Sequence, residues 1–148
     1  MYERILVGLD GSVHGLEATR QAAAIAARFG SELHLVTVTR PYRVNAQLRR
    51  FLEAENLLGE PKYVMDQMTT KIVHEARVLA AEAGITALRT AVREGKPART
   101  LVDYAHANHI DLMVVGSRGV GEVGSALLGS VSQKVSMLAD CSVLVVRE

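Results

Sequence analysis

The chain has no tryptophan, one cysteine, three prolines, and only two phenylalanines and four tyrosines. So few aromatic side chains leave no platform on which unpaired bases would stack, which argues against a nucleic-acid binder. The single thiol, Cys141, cannot close a disulfide within the chain, so a disulfide-stapled secreted scaffold is excluded. A buried, inert thiol is expected there. Excess charge is also missing. Seventeen Lys and Arg against sixteen Asp and Glu leave a net +1, too little to draw the protein to nucleic acid or acidic lipid. No apolar run approaches the roughly 18 residues of a membrane span. The start, MYERILVGLDGS, enters a strand-like run without a basic and apolar leader. A cytosolic protein with no membrane insertion is the expectation.

What is present is a regular alternation. The 148 residues, 49% of them hydrophobic, suffice for one core, so a single domain spanning 1–148 is expected. Five short runs rich in β-branched residues read as strands: 4–9 (RILVGL), 33–39 (LHLVTVT), 85–92 (ITALRTAV), 112–115 (LMVV) and 143–146 (VLVV). Segments 12–29, 61–83, 97–109 and 130–139 between them have helical character. In the second of these, Met65, Met68, Ile72, Ala76, Leu79 and Ala83 recur at three or four residues, predicting one buried face. Gly30 and Gly84 stand where left-handed helix stops belong. Nearly continuous apolar strands separated by amphipathic helices indicate a parallel sheet covered on both faces, a doubly wound α/β fold. Ligands of such sheets sit beyond the carboxyl ends of the strands, where the strand order reverses. The residues that follow the strands, 10–12, 39–42, 93–97 and the stretch after 115, are therefore the ones to inspect.

Segment 40–60 (RPYRVNAQLRRFLEAENLLGE) is too long for a plain connection. Val44, Leu48, Phe51, Leu52 and Leu58 suggest a short amphipathic helix, and Arg40, Arg43, Arg49 and Arg50 a basic cluster. It is either a surface helix with a solvated charged face or a docking element.

Residues 116–130 (GSRGVGEVGSALLGS) hold five of the twelve glycines and admit three phosphate-binding patterns. Gly119, Gly121 and Gly124 spell G-x-G-x-x-G, but in the last βα turn rather than the first, with no acidic residue at the end of a following strand able to lie beside the first. A Walker loop through Gly124 and Gly129 lacks its lysine, since Ser130 stands there and Lys134 comes a turn later. The third pattern survives. Gly116 follows the strand LMVV directly, where a bare backbone admits a ligand, and Gly119 permits a tight turn. After nine intervening residues Gly129 and Ser130 open a helix whose first amides, with the Ser130 hydroxyl, form an anion cradle.

These residues resemble the universal stress proteins. ILVGLDGS, LHLVTV, EGKP and DLMVVGSRG…LLGSVSQKVSMLADCSVLVV are similar to that family from end to end, segment 40–60 least so. Gly116, Gly119, Gly129 and Ser130 match its motif G-x-x-G-x9-G-[ST], which within the family marks the ATP-binding branch. The resemblance implies a Rossmann-like five-stranded parallel sheet of the adenine nucleotide alpha hydrolase type, strand order 3-2-1-4-5. It further implies that Gly8, Leu9 and Asp10 line one side of the nucleotide, and that Val38 and Val115 meet the base. Gly116, Gly119, Gly129, Ser130, Val131 and Ser132 would hold ribose and phosphates. Arg118 either approaches the phosphates or points to solvent. An Asp beside phosphates is repulsive unless a hard cation bridges them, so Asp10 implies Mg²⁺; DGS before a helix is equally ordinary turn and cap chemistry, and the two roles are compatible. The last strand should lie at a sheet edge, and a homodimer through residues 142–147, Ser142 to Arg147, is expected.

Catalytic machinery is harder to find. Hydrolysis needs a group that orients water, and transfer needs an acceptor pocket. Of five histidines, only His14 comes near the expected phosphates. His106 and His109 are three apart with no third metal ligand evident and suit capping or surface roles. The expected function is an ATP-dependent regulatory module read by another protein. A slow ATPase or phosphotransferase and a nucleotide-independent scaffold are the alternatives.

Overall fold

The computed structural model describes residues 1–40, 61–119 and 128–147, with side chains in the second stretch from residue 66 onward. Of segment 40–60, expected as either a surface helix or a docking element, residues 41–60 lie outside the described residues, as do Gly121 and Gly124. Strands and helices alternate: β1 (Arg4–Leu9), α1 (Val13–Phe29), β2 (Glu32–Thr39), α2 (Pro61–Glu82), β3 (Leu88–Glu94), α3 (Pro97–Ala107), β4 (Leu112–Gly116), α4 (Ser130–Leu138) and β5 (Ser142–Val146). The sheet has the order β3-β2-β1-β4-β5 and every neighbouring pair is parallel. β1 and β4 adjoin at the point where the winding reverses, and β5 is an edge strand.

Two cores flank the sheet because alternate strand residues face opposite ways. Ile5, Val7, Leu33, Leu35 and Val114 pack on one side against Ala18, Ala22, Ala23 and Ala26 of α1 and Ala76 and Ala80 of α2. Leu6, Val36 and Met113 pack on the other against Leu101, Tyr104 and Ala105 of α3 and Val135 of α4. The central strands are covered twice, which is why they read as unbroken apolar runs. Helix α1 is capped at its start by Ser12, whose Oγ accepts the Gly15 amide at 3.0 Å. It stops at Gly30, which is left-handed with φ 68°.

Two expectations shift. β3 occupies Leu88–Glu94 instead of 85–92, because Ile85 is used in closing α2, its amide reaching back to the Ala80 carbonyl at 3.1 Å. As an edge strand it exposes Arg89, Arg93 and Glu94, so apolarity marks its limits poorly, and the charges discourage unwanted pairing. The buried face of α2 keeps the middle of the one its sequence suggested, since Ala76 is buried and Ile72 packs on the core, but departs from it on either side. Thr69, Ala76 and Ala80 are buried while Met68 is 54% exposed and Ala83 is exposed; Met65 is outside the described side chains. The alanines approach the sheet closely, and the longer Met68 lies to the side. Cys141 is half-buried, with its thiol pushed up by burial and then by the neighbouring Asp140 carboxylate.

Candidate functional site

A cleft of about 340 Å³ opens at the carboxyl ends of the strands, over the β1/β4 junction. That size suits a small ligand, for which pockets run from roughly 300 to 1,000 Å³. Its first wall is the end of β1. Gly8 and Leu9 lie in the strand and Asp10 turns out of it. Asp10 Oδ1 accepts the Ser12 amide at 2.9 Å, so this carboxylate also shapes the entry to α1.

The second wall is the turn after β4, where Val115, Gly116, Arg118 and Gly119 all line the cleft. A side chain at Gly116 would meet the His14 Cβ at 2.7 Å and its carbonyl carbon at 2.8 Å. Only glycine lets the first turn of α1 rest on the end of β4. A Cβ at Gly119 would stand 2.8 Å from Asp10 Oδ2, so the acid and the glycine turn are packed close against each other at the edge of the cleft.

The third wall is the start of α4, with Gly129, Ser130, Val131 and Ser132 lining the cleft. Gly129 is the N-cap and brings no side-chain acceptor to the first turn. The helix start therefore presents the positive end of its dipole at the cleft. The floor is apolar, formed by Val38 from β2 together with Pro97, Leu101 and Val115. A flat, mainly apolar ring fits there, with an anionic portion between Asp10, the glycine turn and α4.

All twelve residues anticipated from the sequence line this one cleft. Arg118, whose direction was open, is among them. Ser12, Arg40, Pro97 and Leu101 line it too, though none was counted among the nucleotide-binding residues. The first three lie in the segments that directly follow strands. Leu101 sits one turn into α3, and its helical apolar spacing looks like that of any core leucine. Lys134 is exposed and takes no part in the cleft, as the missing Walker lysine implied.

The two parts of the glycine motif are tied together at Ser117, which is buried. Its carbonyl accepts the Gly129 amide at 2.6 Å and the Ser132 hydroxyl at 3.0 Å, and its own amide donates to the Val146 carbonyl of β5 at 2.7 Å. Away from the cleft, His106 Nδ1 lies 3.2 Å from Asp140 Oδ2, both side chains being exposed. Among the described residues no group of three or more His, Cys, Asp or Glu side chains could hold a metal ion. None of their helices is long and apolar enough to cross a membrane.

Known proteins with this sequence pattern and fold were found in each comparison. The profile of the Universal stress protein family matches residues 1–147. Universal stress protein YxiE of Bacillus subtilis is 34% identical over 149 residues, covering 99% of this chain and 100% of the relative. A universal stress protein crystallised in complex with cAMP is 30% identical with a TM-score of 0.70, over 98% of this chain and 96% of that one. Protein MJ0577 superposes with a TM-score of 0.80 over 100% of this chain and 97% of that one, at 23% identity, a likeness of fold.

Proposed function

The chain belongs to the universal stress protein family, and from that premise we propose that it is an adenine-nucleotide-binding regulatory module whose ligand is ATP. The observation that carries this reading is the meeting of Gly116 and Gly119 with Gly129 and Ser130 on one cleft, beside an apolar floor. The base lies on Val38 and Val115. The ribose and phosphates lie between Gly8, Leu9 and Asp10 on one side and Gly116, Gly119, Gly129, Ser130, Val131 and Ser132 on the other, with Arg118 adding positive charge at the phosphates. The related universal stress protein solved in complex with cAMP supports an adenine nucleotide as the ligand.

Asp10 fits a magnesium ion only together with the ligand. One of its oxygens already serves the Ser12 amide, leaving a single carboxylate oxygen toward the glycine turn. One carboxylate completed by phosphate oxygens and water is an ordinary magnesium set. The ion would neutralise phosphate charge beside Asp10. Occupancy then alters a surface read by a regulatory protein partner, with no nucleic acid and no membrane involved, in a cytoplasmic stress response. The protein acts as a homodimer through β5.

The test begins with heat release of nucleotide from freshly purified protein, followed by titration of ATP, ADP, AMP and cAMP with and without Mg²⁺. Bound adenine nucleotide and tighter ATP binding with Mg²⁺ are expected. Gly119→Leu and Gly129→Leu, still folded by circular dichroism, should weaken ATP by about tenfold or more. Unchanged affinity would put the site elsewhere. Phosphate release above buffer rates would turn the reading toward a slow ATPase.

A further inference from the structure

We propose that His14 is a positioning residue for the anion cradle, acting through Ser117; this rests on the nucleotide reading above and adds to it a residue that sets phosphate affinity. Ser117 Oγ and His14 Nδ1 are hydrogen-bonded at 3.1 Å, although the residues lie 103 positions apart. The contact exists because Gly116 lets the first turn of α1 sit against the end of β4. Ser117 then commits each of its remaining polar groups. Its carbonyl holds the Gly129 amide and the Ser132 hydroxyl, and its amide holds Val146. Ser132 Oγ also reaches the Gly129 carbonyl at 3.0 Å and is itself buried.

The GSRG turn and the GS helix start are thus spaced by one residue whose side chain is clamped from α1. Binding a phosphate between them costs less when the donors are already held in place, because fewer groups must be ordered on binding. Loss of the clamp should therefore tax the phosphate part of a ligand and spare the base. His14 is half-buried in the first turn of α1, and its Ser117 contact is on the side of the cradle.

The test compares ATP with adenosine, which carries the base and ribose but no phosphate. His14→Ala and Ser117→Ala should each weaken ATP by roughly three- to tenfold, the weight of one hydrogen bond, and leave adenosine within about twofold. The double variant should be no weaker than either single one, since both remove one interaction. His14→Asn, which returns an acceptor near the place of Nδ1, should recover most of the affinity. Additive losses would overturn the proposal, showing that His14 meets the phosphates itself; so would equal losses for ATP and adenosine, or an unchanged ATP affinity in both single variants. Wild-type protein that takes up neither ligand would remove the nucleotide reading and this one with it. Wild-type protein that binds ATP beside unaffected variants would remove only the clamp.

Discussion

Among the described residues, Thr37 has a buried polar group that the fold leaves unsatisfied. Its side chain is buried on β2, and its Oγ1 has no hydrogen-bond partner among the described residues. A buried hydroxyl without a partner costs on the order of 1–3 kcal/mol. Thr37→Val keeps the shape and removes the hydroxyl, so it should raise unfolding stability by about 1 kcal/mol in a denaturant titration; a loss would mean that an ordered water serves the site. His34 is buried as well but fully partnered. Its Nε2 lies 2.6 Å from Glu32 Oε1 and its Nδ1 2.8 Å from the Tyr104 hydroxyl. A carboxylate only accepts, so Nε2 donates to Glu32 and the tyrosine donates to Nδ1. Burial pushes the imidazole below its ordinary 6.5, outweighing the pull of Glu32, while Arg89 and Arg4 add to the lowering. The folded state thus binds this proton less readily than the unfolded one. The stability that follows is complete above pH 6.5 and is lost as pH falls through the lower folded value. His34→Gln should flatten the acid side of the stability profile in that window, measured by thermal unfolding across pH.

At the scale of elements, the entry to α1 serves the fold and the cleft at once. Ser12 caps the helix by accepting the Gly15 amide, its own amide is held by Asp10, and it lines the cleft. Ser12→Ala should cost about 1 kcal/mol of stability. Ser12→Asp can still cap the helix, but it puts a second carboxylate beside Asp10, so it should keep stability and weaken ATP. Calorimetric unfolding and nucleotide titration on the two variants separate these effects, and a Ser12→Asp variant that bound ATP as well as wild type would argue against phosphates at this wall. The limits of β1 and of α1 were legible from apolar runs and from the Ser12 and Gly30 signals, because each is decided by neighbours in the chain. The limits of β3 and the flanks of the buried face of α2 were not. Edge exposure lets Arg89 and Arg93 stand in a strand, and the seat of α2 on the sheet chooses Thr69 and Ala80 over Met68.

For the whole molecule, the open question of assembly falls on β5. It is an edge strand, and Met137 of α4, just before it in the chain, is 77% exposed. An edge strand with no partner strand among the described residues is costly to leave in water, and so is an exposed apolar side chain, which favours pairing with a second copy. Light scattering at micromolar concentration should give twice the mass of one chain; a monomer would contradict the proposed dimer. The sequence by itself determined the alternation of strands and helices, and the glycine spacing that marks one end of the sheet. Both are periodic or local properties, written in residues a few positions apart. Only the tertiary structure decided that Leu101 reaches the cleft, that the first turn of α1 rests on Gly116, and that His14 meets Ser117 in a hydrogen bond. Those meetings depend on strand register and on how closely a helix can approach a bare glycine backbone, and no local pattern in the chain encodes either.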